Sequence, residues 1–255
     1  MIDSAPSRQK TACLLIIGNE VLSGRTRDAN LQYLGGGLNE AGVRLAEARV
    51  IPDDHEVIVA TVNECRTRFG YVFTTGGIGP THDDITSECV AAAFGVELER
   101  NPQALALLQS HYRPEDLNEN RLRMANVPAG GELIDNPISK APGYRIDNVY
   151  VFAGVPKIMQ AMFEGIRHQF SGGPVTLSKT IASLVPEGEL ASGLGEVQAR
   201  HPDLDIGSYP FFRHGTLGVS VVMRGLDGDE LDTAAEAVRG LIRGLGGEPI
   251  EGEFA

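Results

Sequence analysis

A stretch of small, hydroxylated and acidic residues, "TTGGIGPTHDDIT", runs from position 74 to 86 directly after a strand-like "YVF". Glycines allow close approach and positive φ angles, and a strand that ends in such a loop and restarts as a helix brings unpaired N–H groups and a helix N-terminus together. This arrangement favours an anion, so the sequence predicts a phosphate site. The candidate ligand-binding residues are Thr75, Gly76, Gly77, Gly79 and Thr81.

The composition of this loop equally allows a second interpretation, a tight strand-to-helix turn in which Thr81 or Asp83 caps the helix. Two other phosphate motifs are excluded. The loop has neither the lysine of a Walker loop nor the G-x-G-x-x-G spacing of a dinucleotide fold.

Acidic residues follow several predicted strands. They are Glu20, Asp53, Asp54, Asp83 and Asp84. Carboxylates beside a phosphate site repel the ligand unless a divalent cation lies between them. The group therefore predicts metal-assisted phosphate chemistry. For any single acid, helix capping or solvation is the competing interpretation.

The elements that must position these residues alternate between strand and helix. Strands are predicted at 12–18, 44–50 and 71–75, and apolar residues recur at helical spacing between them. The first of these segments is a continuous apolar run, as expected of a strand that is covered on both faces. In the first helix Asp28 and Asn30 are candidate caps, and the glycines at 35–37 weaken it. The alternation predicts an α/β fold of three layers, α/β/α, around a mostly parallel sheet, with ligands beyond the carboxyl ends of the strands.

The last third of the chain has a different order of predicted strands and helices. After the linker-like "SGGP", the order β-α-β-β-α predicts a small α+β domain. We expect the first domain to span residues 8–172 and the second 173–255.

Composition limits the partners. The formal net charge of −12 opposes a general role on nucleic acid or an anionic membrane. No apolar run approaches the roughly 18 residues of a membrane span, which predicts a cytoplasmic protein. The three cysteines lack metal-binding spacing and lie in apolar stretches, so buried, reduced thiols are expected.

Five segments, in this order, resemble the MoaB/Mog-type molybdopterin-binding domain, especially the version found in the competence/damage-inducible protein CinA and in the N-terminal part of eukaryotic FAD synthase. They are "IIGNEVLSGRTRDANLQYL", "VIPDD", "TTGGIGPTHDDIT", "NPISKAPG" and "FAGVPKIM". The resemblance implies a ligand that is a phosphorylated pterin or an adenine dinucleotide, with molybdopterin itself a candidate. It implies that Glu20, Asp53, Asp83 and Asp84 hold Mg²⁺, Mn²⁺ or Co²⁺ and that Asp53 and Asp84 are catalytic. It also adds Lys140, Gly154 and Pro156 to the ligand-binding residues and suggests a homo-oligomer.

The second domain resembles the small KH-like unit that follows this domain in CinA. It lacks an evident basic GxxG loop, so we expect a packing or dimerisation role and no nucleic acid. Three functions stay open: a metal-dependent pyrophosphatase of ADP-ribose-like or FAD-like dinucleotides, a molybdopterin-binding or adenylylating protein, and a non-catalytic nucleotide-binding module.

Overall fold

A computed structural model describes residues 9–213 and 215–254 of the chain. The chain folds as two compact units, the first ending at Gly173 and the second beginning at Pro174. Each unit has its own sheet.

The first unit is built on a six-stranded sheet with the order β2-β1-β3-β8-β7-β6. The strands of this unit are β1 (Thr11–Ile17), β2 (Arg44–Ile51), β3 (Tyr71–Thr75), β4 (Leu98–Arg100), β5 (Asn126–Pro128), β6 (Glu132–Ile134), β7 (Gly143–Ile146) and β8 (Val149–Phe152). Strands β2, β1, β3 and β8 are parallel, whereas β7 pairs antiparallel with both β8 and β6. Strands β4 and β5 form a separate antiparallel ribbon. The loops after the four parallel strands therefore lie at one edge of the sheet.

Helices cover both faces of this sheet. They are α1 (Asn19–Leu22), α2 (Asn30–Glu40), α3 (His55–Arg68), α4 (Thr86–Phe94), α5 (Pro102–His111), α6 (Glu119–Leu122) and α7 (Pro156–Ile166). Ile58 of α3 and Val90 of α4 belong to the core on one face, and Leu34 of α2 and Phe163 of α7 belong to the core on the other. The prediction of a three-layer, mostly parallel α/β fold is confirmed.

Local signals explain where several helices begin and end. Asn101 caps α5, with Pro102 in its first turn, and Asp54 caps α3 by accepting from Val57 N at 3.0 Å. Gly95 ends α4 in the left-handed conformation. At α2 the prediction was partly wrong: Asp28 accepts from Leu31 N at 2.9 Å, but Asn30 lies inside the helix and does not cap it.

The second unit has a four-stranded antiparallel sheet with the order β10-β11-β9-β12. Its elements are β9 (Leu177–Ser183), α8 (Glu187–Arg200), β10 (Asp205–Arg213), β11 (Thr216–Gly225), α9 (Gly228–Gly244) and β12 (Ile250–Glu251). Leu190 of α8 and Val238 of α9 pack in one core with Val221 of β11. A small α+β domain with a separate sheet is confirmed, although β12 was not predicted.

Two further expectations concern cysteines and membranes. Cys13, Cys65 and Cys89 are free and buried, and burial raises the pKa of each thiol. Within residues 9–213 and 215–254, no helix combines the length and the apolar character that crossing a bilayer requires.

Candidate functional site

The loops that follow the parallel strands are held together by backbone hydrogen bonds at one edge of the sheet. Gly18 N donates to Ile51 O at 3.1 Å, and Asn19 N donates to the Asp53 Oδ2 carboxylate oxygen at 2.8 Å. Gly76 N donates to Phe152 O at 3.2 Å. The loops after β1, β2, β3 and β8 thus form one continuous rim.

The loop after β3 depends on glycine at two successive positions. Gly76 and Gly77 have φ angles of 103° and 68°, which favour glycine. A Cβ atom on Gly76 would collide with Ile17 O, and one on Gly77 would collide with Thr86 Oγ1. Thr86 also fixes the loop, because its N–H donates to Gly77 O at 2.9 Å and its hydroxyl donates to Gly76 O at 3.0 Å.

Three successive amides of this loop remain unpaired. In the described part of the chain, the N–H groups of Gly77, Ile78 and Gly79 have no protein acceptor, whereas Gly76 N–H is bonded to Phe152 O. Consecutive free N–H groups that follow a left-handed residue make a concave anion site. Gly76 therefore shapes the loop, and the next three residues supply the donors.

The acids of the loop are engaged by Thr81. Asp84 Oδ2 accepts from Thr81 N at 2.8 Å and lies 2.5 Å from Thr81 Oγ1, which is also 2.5 Å from Asp83 Oδ1. The Thr81 hydroxyl holds the pKa of Asp83 below its usual value. Neither Thr81 nor Asp83 caps α4, which begins at Thr86 without a side-chain cap.

The other predicted acids occupy separate positions on the rim. Asp53 binds Asn19 N, Asp54 caps α3, and the Glu20 carboxylate lies against Gly18, where a Cβ atom would be 2.6 Å from Oε2. Among the described residues, no three His, Cys, Asp or Glu side chains are grouped as metal ligands. Mg²⁺ is commonly bound by the phosphates of a ligand and by only one or two protein carboxylates. The acids on this rim are compatible with such an ion.

Two cavities flank the glycine loop. We call them the larger cavity, of about 140 Å³, and the smaller cavity, of about 40 Å³. The larger cavity is lined by residues that include Ile78, Gly79, Asp84, Arg123, Asn126 and Tyr144. The smaller cavity is lined by residues that include Glu20, Arg27, Asn30, Thr75, Gly154 and Pro156. The predicted site residues are therefore divided between the two sides of one loop.

Lys140 lines neither cavity. It has a φ of 58°, and its ammonium lies 3.9 Å from Asp135 Oδ1. The surrounding "NPISKAPG" turn is organised by buried Asn136, which donates to Ala141 O at 2.8 Å and accepts from Ser139 N at 3.1 Å. This motif shapes the wall of the larger cavity through Pro142.

Sequence reasoning missed three residues of these cavities. Asn30 was interpreted as a helix cap, but its side chain donates to Gly154 O at 2.9 Å. Arg123 lines the larger cavity and donates from Nη1 to Thr81 O at 3.2 Å. Tyr144 is also there, and its burial raises the pKa of its hydroxyl. The two arginines of "RLRMANVP", Arg121 and Arg123, were the one available signal for a cation at this cavity.

The fold and the glycine loop define an α/β protein with a candidate anion site at the carboxyl edge of its parallel strands. Residues 13–170 match the family described as "Probable molybdopterin binding domain", which is more than half of the chain. The chain belongs to this molybdopterin-binding-domain family. Residues 175–245 match a second family, "FAD synthase, middle domain".

Individual relatives agree with this assignment. A protein of Pyrobaculum calidifontis is 33% identical over 211 residues, covering 78% of this chain and 80% of the relative. A CinA-like protein of Myxococcus xanthus is 33% identical over 209 residues, covering 76% of this chain but 50% of the relative. The crystal structure of the protein CinA from Thermoplasma acidophilum is 32% identical with a TM-score of 0.60, covering 64% of this chain and 99% of that one. The resemblance found in the sequence is thereby confirmed, and the chain is CinA-like.

Proposed function

We propose that this protein binds a phosphate group of a phosphorylated pterin or an adenine dinucleotide on its glycine loop. We further propose that it hydrolyses the pyrophosphate of an ADP-ribose-like or FAD-like dinucleotide with Mg²⁺, Mn²⁺ or Co²⁺. The observation that carries the proposal is the run of three unpaired amides at Gly77, Ile78 and Gly79. Such backbone N–H groups can donate to a phosphoryl oxygen and stabilise its negative charge without a charged side chain.

The placement of the cavities supports a ligand with two halves. Thr75 lines the smaller cavity and Gly79 the larger one, and these residues are four positions apart, at most roughly 14 Å along the chain. The larger cavity combines apolar Ile78 and Tyr144 with polar Asn126, which suits a planar heterocycle. A phosphate chain across the loop would join a group in each cavity.

The side chains around the loop supply the remaining chemistry. When bound, a divalent cation polarises the phosphoryl group and provides a nucleophilic water at neutral pH. Asp84 is the carboxylate in the larger cavity best placed to share such a cation with the ligand, and Thr81 orients it. Arg123 offsets negative charge on the same side. Asp53 is held by Asn19 N, and we propose a supporting role for it on the rim.

One observation favours a second function, binding without cleavage. Asp53 accepts from Asn19 N and Asp84 accepts from Thr81 N, so both carboxylates also have a structural role in the loops. A protein that only holds a phosphorylated pterin or nucleotide needs these carboxylates for no other purpose. The molybdopterin-related role of other family members corresponds to this alternative.

The test is an assay for AMP release. Purified protein is incubated with ADP-ribose or FAD in Mg²⁺, Mn²⁺ or Co²⁺, and molybdopterin binding is measured in parallel. We expect metal-dependent AMP release that falls at least about 100-fold in Asp84→Asn. The exposed Asp203→Asn variant in the second unit is the matched control and should retain the wild-type rate. Tight binding without AMP release in the presence of any of the three metals would contradict the hydrolase and support the binding function.

A further inference from the structure

Arg123 lies in the wall of the larger cavity without an acidic partner. Asp84 and Glu88 line the same cavity, but within residues 9–213 and 215–254 neither of them forms an ion pair with Arg123. Arg121, two positions earlier in the chain, is by contrast paired with Asp116 at 3.9 Å. Arg123 is only partly buried, so its charge is available to an anion that enters the cavity from solution.

The charged end of Arg123 lies beside the glycine loop. Its Nη1 donates to Thr81 O at 3.2 Å, and this hydrogen bond is exposed to solvent. Thr81 N in turn donates to Asp84 Oδ2 at 2.8 Å, and a Cβ atom on Gly79 would lie 2.6 Å from that same oxygen. Gly79 and Asp84 both line the larger cavity. The guanidinium, and not only the aliphatic stem, is therefore next to the loop residues that face this cavity.

Most hydrogen-bonding capacity of this guanidinium is unused. An arginine side chain carries several N–H donors in a planar fork whose geometry matches a phosphoryl group. In the described part of the chain, the bond to Thr81 O is the only hydrogen bond that the Arg123 guanidinium makes. The same bond holds the guanidinium in place before a ligand arrives, which reduces the conformational entropy lost on binding.

The guanidinium and the unpaired amides occupy neighbouring but separate places. Gly79 provides the last of the three amides and is two residues before Thr81, at most roughly 7 Å away along the chain. Arg123 Nη1 lies a further 3.2 Å from Thr81 O. A phosphoryl group on the amides thus leaves the guanidinium to a second phosphoryl group joined to the first, with a hydrogen bond of roughly 3 Å at each end.

We propose that Arg123 binds the second phosphoryl group of a ligand whose first phosphoryl group lies on the amides of the glycine loop. Arg123 is then a specificity-determining residue, because it selects ligands with two adjacent phosphoryl groups over ligands with one. The proposal rests on the proposed nucleotide binding and adds to it the contact that distinguishes these two classes of ligand.

The test compares AMP with α,β-methylene-ADP, a non-hydrolysable analogue of ADP, by calorimetric titration against the full-length protein in Mg²⁺. The wild type should bind the analogue at least about tenfold more tightly than AMP. Arg123→Gln keeps an amide that can donate to Thr81 O and removes the charged fork. It should weaken binding of the analogue about tenfold or more and binding of AMP less than about twofold. Arg123→Lys keeps the charge and should recover part of the lost affinity.

Arg121→Gln is the matched control. It removes the same charge from the same segment, but Arg121 contacts Asp116 and does not line the larger cavity. This variant should keep the wild-type ratio of the two affinities. A loss of the ratio as large as in Arg123→Gln would mean that the charge of the segment, and not a contact, attracts the analogue, and would overturn the proposal.

Equal weakening of AMP and the analogue by Arg123→Gln would show that Arg123 only fixes the loop through Thr81 O, and would also overturn the proposal. So would equal binding of both nucleotides to the wild type. Both results leave the proposed nucleotide binding intact. If neither nucleotide binds to the wild type at millimolar concentration, the nucleotide site and the role of Arg123 are both contradicted.

Discussion

Gly77 shows how one residue fixes the shape of the phosphate loop. Its φ of 68° and the contact that a Cβ atom would make with Thr86 Oγ1 both exclude a larger residue. We expect Gly77→Ala to lower the free energy of unfolding by about 2–4 kcal/mol, combining left-handed strain with the collision. Urea denaturation measures the loss.

Gly130→Ala is the control for this substitution. Gly130 has a φ of 82°, but a Cβ atom there would meet nothing within 4 Å. Gly130→Ala should lower the free energy of unfolding by about 1–2 kcal/mol, because only the backbone conformation is unfavourable for alanine. Equal losses in the two variants would contradict the role assigned to Thr86.

At the scale of elements, the glycines of α2 have different reasons for being there. A Cβ atom on Gly36 would meet nothing within 4 Å, whereas one on Gly37 would lie 2.5 Å from Phe163 Cε1 of α7. Gly36→Ala should therefore raise the free energy of unfolding by about 0.5–1 kcal/mol through helix propensity. Gly37→Ala should lower it by about 1–3 kcal/mol through overpacking. Thermal or urea unfolding of both variants checks this, and a stabilising Gly37→Ala would contradict the close packing of α2 on α7.

Strand β2 and helix α3 are joined by a network of four charges. Arg49 donates to Glu64 at 2.7 and 2.8 Å and to Glu47 at 2.5 Å, and Arg68 contacts both acids. Hydrogen bonds from Arg49 and then Arg68 lower the pKa of Glu64 to about 2. Because this pKa is lower in the folded state, the unfolded state binds more protons between about pH 2 and 4.5. The contribution of Glu64 is therefore fully present above about pH 4.5 and is lost as the pH falls toward 2.

Glu64→Gln tests this pH dependence. The variant should be less stable than the wild type at pH 7, and the difference should shrink as the pH falls from about 4.5 to 2. Urea unfolding at a series of pH values measures it. Since Glu64 and Arg68 are exposed, the difference at pH 7 should be small and should diminish in high salt. A difference that grows on acidification would contradict the assignment.

The same elements show what could be predicted from the sequence. Strands β1 and β3 are short apolar runs, and helices α2 and α3 repeat apolar residues about every 3.6 positions. Both patterns are visible in the sequence, so the parallel sheet and its helices were predictable. The two-residue β12 and the three-residue β4 to β6 carry too few side chains for any period, and long-range pairing determines them. The positions of the strand ends placed the rim correctly.

The site was less predictable than the fold. Glycines with positive φ leave a composition signal, so Gly76 and Gly77 could be found. Asn30 reaches Gly154, which is 124 residues away in sequence, and Arg123 reaches Thr81 across 42 residues. No local pattern encodes such contacts. Local spacing also did not predict that Thr81 is hydrogen-bonded to the carboxylates of Asp83 and Asp84.

At the scale of the whole molecule, all the residues proposed to bind ligand belong to the first unit, and the formal net charge is −12. An overall negative field does not attract an anion, so local dipoles must do it. Homo-oligomer formation and the role of the second unit stay predictions from the family resemblance. The central claim is that the unpaired amides of the loop, in spite of this charge, bind phosphate.

Amide chemical shifts of the isotopically labelled full-length protein test this claim most directly. ADP-ribose is titrated in the presence of Mg²⁺, and the backbone N–H signals are followed. We predict saturable shifts at Gly77, Ile78 and Gly79 that are larger than at any amide of the second unit, and that are absent in Gly77→Ala. Saturable shifts elsewhere with these three signals unmoved would contradict the account.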